Sequence, residues 1–249
     1  MAVAFSGGLD SGLIATLTAE YASDLTLYTA GIIKRSDGIE TMSPDATVAE
    51  RVAREMGLRW EHIEIDADGL VEDIERMMRI TGTNDPIVIS FELPLFHVCA
   101  NCSEDMIIGG QGADEMFKGY SKYVGLEPEA LETVYAEDMK RLNQITIPHE
   151  RKVAEYFGKR ISYPYLDEEM MSFIQSLDHK LLMPSNGSRK ELLREVARKH
   201  SPAVASREKK AAQYGSGVMD ALRRSCKDKG ITYGELIESI QKKIASEGE

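Results

Sequence analysis

Residues 1–22 read MAVAFSGGLDSGLIATLTAEYA and combine, in order, an apolar run, a glycine turn and a helical pattern. Residues 1–5 predict a buried strand, and residues 11–22 repeat apolar side chains at the three- and four-residue spacing of a helix. Between them, Gly7 and Gly8 let successive backbone N–H groups converge on one point, because glycine has no Cβ to obstruct a ligand. The helix that follows adds its positive end. The stretch therefore predicts a strand–turn–helix unit whose turn cradles a phosphate or pyrophosphate.

Asp10 stands in this turn, where its charge would repel a phosphate unless a cation lay between them. Mg²⁺ suits that position, because proteins usually hold it with one or two carboxylates plus phosphate oxygens. The alternative is that the glycines only make a tight turn and that Asp10 caps the helix. The turn alone leaves both interpretations open. The ATPase loop pattern GxxxxGK followed by Ser or Thr occurs nowhere in the chain.

The alternation of strand and helix patterns continues through the first half of the chain. Strands are predicted at residues 1–5, 25–32, 60–66 and 104–110, and helices at residues 11–22, 44–57 and 90–102. This order implies an α/β fold with a parallel, Rossmann-like sheet between two layers of helices. Ligands of such sheets bind at the carboxyl ends of the strands, which is where the Gly7–Gly8 turn falls.

From residue 128 onward the patterns are mainly helical and are interrupted by prolines. No low-complexity linker separates the two halves. We therefore expect a single domain over residues 1–249, in which residues 128–249 form a mainly helical part packed against an α/β core of residues 1–127.

The composition limits the classes of partner. A formal net charge of −11 disfavours a general binder of nucleic acid or of anionic membranes, since polyanions need a basic surface. No apolar stretch approaches the ~20 residues of a membrane span. The chain has three cysteines and no secretory leader pattern, which predicts a cytoplasmic protein. Residues 189–213 carry eight Lys or Arg against three Glu, a local charge of +5, which by itself predicts a solvated helix face.

A second glycine-rich stretch, IIGGQGADEMFKGY at residues 107–120, follows the fourth predicted strand. It would lie at the same edge of the sheet as the first turn, so Asp114 could reach the metal that Asp10 reaches. Two carboxylates from separate loops make a better Mg²⁺ site than one. The alternative is an ordinary glycine-rich turn with a capping aspartate.

The motifs resemble those of a known family. SGGLDS at residues 6–11 resembles the pyrophosphate loop of the N-type ATP pyrophosphatases, the PP-loop superfamily, and GQGADEMFKGY is similar to the second signature of the asparagine synthetase C-terminal domain. Further segments resemble the same family in the expected order, over most of residues 1 to about 220: SPDATVAERVAREMG at 43–57, SYPYLD at 162–167, RKELLRE at 189–195 and REKKAAQYGSGV at 207–218. The resemblance implies a HUP-like ATP pyrophosphatase core with a helical C-terminal part.

The resemblance also implies a reaction. A carboxylate, aspartate-like in this family, attacks the α-phosphorus of ATP to give an acyl-adenylate and pyrophosphate, and ammonia or an amine then attacks the acyl carbon. The protein would be an AMP-forming amide ligase of asparagine biosynthesis that uses ATP and Mg²⁺. Negative charge on the α-phosphate and the departing pyrophosphate calls for a metal, backbone donors and a cation.

Site residues carry over by position. Asp10 and Asp114 would bind Mg²⁺, Lys209 would lie over the α-phosphate, and Lys190 would reach the triphosphate. The basic segment 189–213 then becomes a lobe that closes over ATP. The remaining ATP contacts that the resemblance implies are Phe5, Ala30 and Gly110 around the adenosine and Ser6, Gly7, Gly8 and Ser11 around the pyrophosphate.

Two positions depart from the family pattern. Gln111 stands where the family usually has a carboxylate, and an amide cannot act as a base. Ser162 stands where an arginine precedes the Pro-x-Leu-Asp turn. Both changes bear on the acyl substrate more than on the ATP chemistry.

Glutamine-dependent members of the family begin with a cysteine nucleophile and a hydrolase domain, whereas this chain begins at the first strand of the sheet. Three alternatives are open. The nucleophile is free ammonia or another amine, or a separate glutaminase subunit supplies ammonia, or this chain is a fragment of a longer protein. The sequence leaves the oligomeric state open, and a homodimer is compatible with it.

The sequence leaves two other functions open. One is a PP-loop tRNA-modifying adenylating enzyme, for which the CxxC of Cys99 and Cys102 is the favourable feature. We nevertheless interpret these cysteines as buried structural thiols on a helix. The other is a non-catalytic ATP- or AMP-binding subunit, suggested by Gln111 and Ser162.

Overall fold

A mostly parallel sheet forms the centre of the computed structural model, which describes residues 1–183, 189–205 and 212–247. Its strands are β1 (Ala2–Ala4), β2 (Thr26–Ser36), β3 (Ile39–Met42), β4 (Arg59–Ile65), β5 (Met106–Ile108) and β6 (Arg160–Ser162). The parallel strands lie in the order β4-β2-β1-β5-β6, and β3 pairs antiparallel with the last residues of β2. The α/β fold with a parallel sheet is thus confirmed.

Helices connect and cover the strands. In the described part of the chain they are α1 (Leu9–Tyr21), α2 (Pro44–Met56), α3 (Leu70–Thr81), α4 (Pro86–Asn101), α5 (Ala113–Met116), α6 (Pro128–Arg141), α7 (Ile147–Tyr156), α8 (Glu168–Ser176), α9 (His179–Leu182), α10 (Glu191–His200), α11 (Pro202–Ala205), α12 (Ala212–Gly215), α13 (Val218–Asp228) and α14 (Tyr233–Glu247). Short 3-10 turns occupy Ser121–Tyr123 and Pro164–Leu166, and a π-helical turn, Leu142–Thr146, joins α6 to α7. No described helix combines the length and the apolar character needed to cross a bilayer.

Local signals explain where α2 and α4 begin. The side chain of Ser43 accepts a hydrogen bond from the backbone N–H of Ala46, and Pro44 occupies the first turn of α2. Asp85 caps α4 in the same way, with its Oδ1 2.8 Å from the backbone nitrogen of Ile87. Each helix therefore starts at a proline that follows a capping side chain.

The strands β3 and β6 and the helix α3 were not among the predicted elements. β2 extends four residues beyond the predicted 25–32 and turns back at Asp37 and Gly38, whose φ values of 52° and 75° suit a tight hairpin. β6 lies in the half predicted to be mainly helical, yet it pairs in parallel with β5, Ile161 opposite Ile107. The second half of the chain thus supplies a strand to the sheet as well as helices.

Two clusters of buried side chains cover the two faces of the sheet. Successive residues of β2, Leu27 and Tyr28, belong to different clusters because neighbouring side chains of a strand point to opposite faces. One cluster joins the sheet to α3, α4, α13 and α14, and the other joins it to α1, α2 and α10. The helices therefore cover the two faces of the sheet, and the loops that follow the strands lie at its edge.

Candidate active site

A cavity of about 470 Å³ opens where β1 and β5 end. The turn after β1 and the loop after β5 line it, together with residues from α4, from the α6–α7 connection and from the start of α10. The predicted site residues that line this cavity are Phe5, Ser6, Gly8, Asp10, Ser11, Ala30, Gly110, Asp114 and Lys190. The structure therefore brings together both glycine-rich loops and one of the two predicted lysines.

Gly7 and Lys209 are placed differently. Gly7 is not among the cavity-lining residues; it has a φ of 68°, and a Cβ there would lie 2.9 Å from Cγ1 of Val48 in α2. Glycine at this position thus lets the turn pack against α2, and its part in binding pyrophosphate stays a prediction. Lys209 lies outside the described residues.

Asp10 and Asp114 meet at the ammonium group of Lys190. The Nζ atom lies 2.8 and 2.7 Å from Oδ1 and Oδ2 of Asp10, and 2.6 Å from Oδ1 of Asp114. Asp10 lies in the first turn of α1, inside the helix, and the position that caps the helix is Gly8. Asp10 therefore does not occupy the cap position that the turn alone allowed.

Three features of the chain hold this group together. Lys190 adopts a left-handed backbone, φ 58°, immediately before α10, and its side chain is only 6% exposed. A Cβ at Gly119 would overlap Cε of Lys190 and Oδ1 of Asp114, so glycine makes room for the ion pair. The hydroxyl of Tyr165, in the SYPYLD turn, donates a hydrogen bond of 3.1 Å to the carbonyl of Asp10.

The carboxylate pair fits a magnesium ion bound together with a phosphorylated substrate. The nearest oxygens of Asp10 and Asp114 lie 2.7 and 2.6 Å from one point, the Nζ atom of Lys190, so closing to the ~2.1 Å of a Mg–O bond needs shifts of about 0.5 to 0.6 Å. Within residues 1–183, 189–205 and 212–247, no group of three or more His, Cys, Asp or Glu is arranged to hold a metal. Two carboxylates would leave the other positions to phosphate oxygens and water, which is the usual environment of Mg²⁺.

A second polar cluster lines the same cavity. Glu150, on α7, accepts a hydrogen bond of 2.7 Å from Nε2 of Gln111 and one of 2.6 Å from the hydroxyl of Tyr163. Burial raises the pKa of Glu150 to about 8; repulsion from Glu92 adds to the increase, and the hydrogen bonds from Tyr163 and Gln111 oppose it. The cavity thus contains a carboxyl group that can hold or release a proton near neutral pH.

Glu92 and His149 lie behind this cluster. Glu92 on α4 is 2% exposed, its Oε1 lies 3.6 Å from Nδ1 of His149, and burial raises its pKa. Neither residue is among those that line the cavity. The effect of Glu92 on the site is electrostatic, because its charge disfavours the charged form of Glu150.

Sequence reasoning missed Glu150 and Tyr163. Glu150 lies in a polar helix pattern, HERKVAEY, in which nothing marks one glutamate as buried. Tyr163 lies inside SYPYLD, a segment that pointed to the family without singling out the tyrosine. A carboxyl group, that of Glu150 on α7, therefore lies next to Gln111. Ser162 is exposed on β6, and its carbonyl accepts a hydrogen bond of 2.9 Å from the backbone N–H of Gly109.

Some side chains of the basic segment face the cavity and others face solvent. Arg189 and Arg194 line the cavity, with Nη1 of Arg189 donating to the carbonyl of Gly119 at 3.1 Å. Arg198, one turn further along α10, is 55% exposed at its side chain and pairs with Glu191. Within residues 189–205, the basic segment therefore has both a cavity face and a solvated face.

The cysteines are buried inside the fold. Cys99 is 0% exposed and burial raises the pKa of its thiol to about 12; burial also raises the pKa of Cys102. Both are free thiols. Because thiolates are the reactive and metal-binding form, this environment speaks against sulfur chemistry at the CxxC.

A family model described as asparagine synthase matches residues 1–130, more than half of the 249-residue chain. A Methanocaldococcus jannaschii protein, whose name describes it as a glutamine-hydrolysing asparagine synthetase, is 27% identical over 97% of this chain and 51% of its own length. The glutamine-hydrolysing asparagine synthetases of Sandersonia aurantiaca and Gallus gallus are 29% and 26% identical, over 74% and 76% of this chain and 37% and 34% of theirs. The chain thus spans between a third and a half of the length of these relatives.

One solved structure, titled as a predicted subunit of tRNA methyltransferase from Methanocaldococcus jannaschii, is 15% identical to this chain. It superposes with a TM-score of 0.37 over 80% of this chain and 87% of its own. A similarity at this level does not bear on the site.

Proposed function

We propose that this chain, which belongs to the asparagine synthase family, is an ATP- and Mg²⁺-dependent, AMP-forming amide ligase. It adenylates a carboxylic acid, aspartate-like in the first instance, and transfers the acyl group to ammonia or an amine. Ammonia comes from solution or from a separate glutaminase subunit. The proposed compartment is the cytoplasm, because the sequence has three cysteines and no secretory leader pattern.

The convergence of Asp10 and Asp114 on one point carries this proposal. The two carboxylates come from the loops after β1 and β5, and their oxygens lie within 2.8 Å of the same Nζ atom. A site that binds ATP for adenylation has to neutralise the charge that develops on pyrophosphate as it leaves, and Mg²⁺ bound here would supply that neutralisation. Both loops line the cavity that also contains Glu150.

In the first half-reaction, an oxygen of the substrate carboxylate bonds to the α-phosphorus as the bond to pyrophosphate breaks. The turn that contains Ser6 and Gly8 lines the cavity at the start of α1, and the positive end of that helix would favour the departing pyrophosphate. Arg189 and Arg194 bring positive charge to the same cavity. We assign Lys209 to the α-phosphate on the sequence resemblance.

In the second half-reaction, the amine nitrogen bonds to the acyl carbon as the bond to AMP breaks, and the nitrogen loses a proton. Glu150 is the proposed acceptor of that proton. Its pKa of about 8, set mainly by burial, matches a base that works near neutral pH. Gln111 and Tyr163 fix the orientation of its two oxygens through hydrogen bonds of 2.7 and 2.6 Å.

The test is ATP–pyrophosphate exchange with a panel of carboxylic acids, aspartate first, with and without ammonium. Exchange that depends on one acid, followed by AMP and amide formation when ammonium is added, would support the ligase. Absence of exchange with every acid, in a protein shown to bind ATP, would favour a non-catalytic nucleotide-binding subunit instead.

A further inference from the structure

We propose that Lys190 is an internal counter-ion that holds Asp10 and Asp114 together in the ligand-free protein and that the metal displaces it when ATP binds. The divalent cation then enters with the nucleotide and binds only weakly before it. This inference rests on the assignment of the two aspartates to Mg²⁺ in the proposed function.

The geometry makes occupation by Lys190 and by the metal mutually exclusive. The Nζ atom is 2.6 Å from Asp114 and 2.7 Å from the nearer oxygen of Asp10, which is the point a cation shared by both carboxylates would occupy. The side chain of Lys190 is as covered as that of Asp114, each 6% exposed. Two cations cannot share this point, because their repulsion at contact distance would be large in a buried site.

The same cavity offers Lys190 a second partner once a triphosphate is present. Lys190 directly precedes α10, and its neighbours Arg189 and Arg194 also line the cavity. A lysine ammonium sits on a flexible four-carbon stem and rotates among acceptors more readily than a guanidinium. When the triphosphate enters, the ammonium exchanges carboxylate oxygens for phosphate oxygens, and the metal takes its place between the aspartates. No buried charge is left unpaired by this exchange.

A metal ion that binds without nucleotide competes with Lys190 for the two carboxylates. When the metal and the nucleotide bind together, Asp10 and Asp114 pair with the metal and Lys190 pairs with the phosphates. Their binding is therefore positively coupled, and each raises the affinity of the other.

The experiment measures Mn²⁺ binding without nucleotide, by the electron paramagnetic resonance of free Mn²⁺, in the wild type and in Lys190→Met. We expect the variant to bind Mn²⁺ at least ten-fold more tightly, and Mg²⁺ alone to raise its melting temperature by more than that of the wild type. Lys118→Met is the matched control: Lys118 is also buried, 5% exposed, but it lies over the ring of Tyr135. This control should bind Mn²⁺ as the wild type does.

Equal Mn²⁺ affinity in the wild type and in Lys190→Met would overturn the proposal. If that variant does not fold without metal, Lys190→Gln, whose amide can still donate to both carboxylates, takes its place with the same expectation. Adding Asp10→Asn to Lys190→Met should abolish the gain, and a gain that persisted would place the metal elsewhere and refute the exchange. If Lys190→Met bound Mn²⁺ more tightly but the wild type showed no ATP–pyrophosphate exchange, the counter-ion role of Lys190 would be supported and the proposed ligase activity would be rejected.

Discussion

The side-chain amide of Gln111 donates a hydrogen bond of 2.7 Å to Oε1 of Glu150. This hydrogen bond connects the loop after β5 to a buried carboxyl group on α7. The amide cannot take up a proton, but it orients a group that can. Position 111 therefore carries an amide, and the cavity still contains a carboxyl group beside it, that of Glu150.

Glu150→Gln should reduce amide formation by at least ~100-fold, the usual contribution of a positioned general base. ATP–pyrophosphate exchange should persist, because the first half-reaction does not need this proton acceptor. The two rates are measured on the same preparation. Glu155→Gln, an exposed position on the same helix, is the control. An equal loss of both rates would assign Glu150 to adenylation or to folding.

Tyr163→Phe should move the pH dependence of amide formation to higher pH. The hydroxyl of Tyr163 donates to Oε2 of Glu150 and lowers the pKa of that carboxyl group, so its removal raises the pKa above about 8. The rate is recorded from pH 6 to 10 at saturating ATP. Tyr156→Phe, on the same helix but 58% exposed, should leave the profile in place. If Tyr163→Phe left the pH profile unchanged, the group whose titration controls amide formation would not be Glu150.

The free energy of unfolding should depend on pH through Glu150. In the native state its pKa is about 8, against an ordinary value of 4.5, so between these values the native state binds more protons than the unfolded chain. This group therefore makes the protein less stable as the pH rises, by up to about 1.4 kcal/mol per pH unit. Urea unfolding from pH 5 to 8 should show a smaller decline in Glu150→Gln than in the wild type. If the free energy of unfolding declined equally with pH in both proteins, Glu150 would not be the group with the raised pKa.

Asp10→Asn and Asp114→Asn should each abolish Mg²⁺-dependent ATP–pyrophosphate exchange. An asparagine keeps the shape of the side chain but loses the negative charge that holds a divalent cation. Circular dichroism establishes that the variants fold. Asp220→Asn, a change at a side chain that is 51% exposed, tests whether the loss is specific to the pair. Near-normal exchange in either site variant would refute the two-carboxylate metal site.

The sequence by itself determined the strand–turn–helix of residues 1–22, the parallel α/β fold and the family. These conclusions rest on local patterns: apolar periodicity, glycines at turns and short motifs in a fixed order. Asp10 and Asp114 were found in the same way, because each follows directly on a predicted strand and the carboxyl ends of parallel strands lie at one edge of the sheet. β6 is no shorter than β1 and β5, but it was missed because its sequence, Arg-Ile-Ser, contains one apolar residue and so shows no apolar run.

Only the tertiary structure decided what surrounds these residues. Lys190 is 180 positions away from Asp10 in the chain, and α10 and Gly119 bring it into contact with both aspartates. Glu150 became a candidate base because α4, β6 and the loop after β5 bury it and supply its partners. Burial and the resulting pKa are properties of an environment assembled from distant segments. A local pattern can predict that a residue is charged, but it does not specify which other charges the fold places beside it.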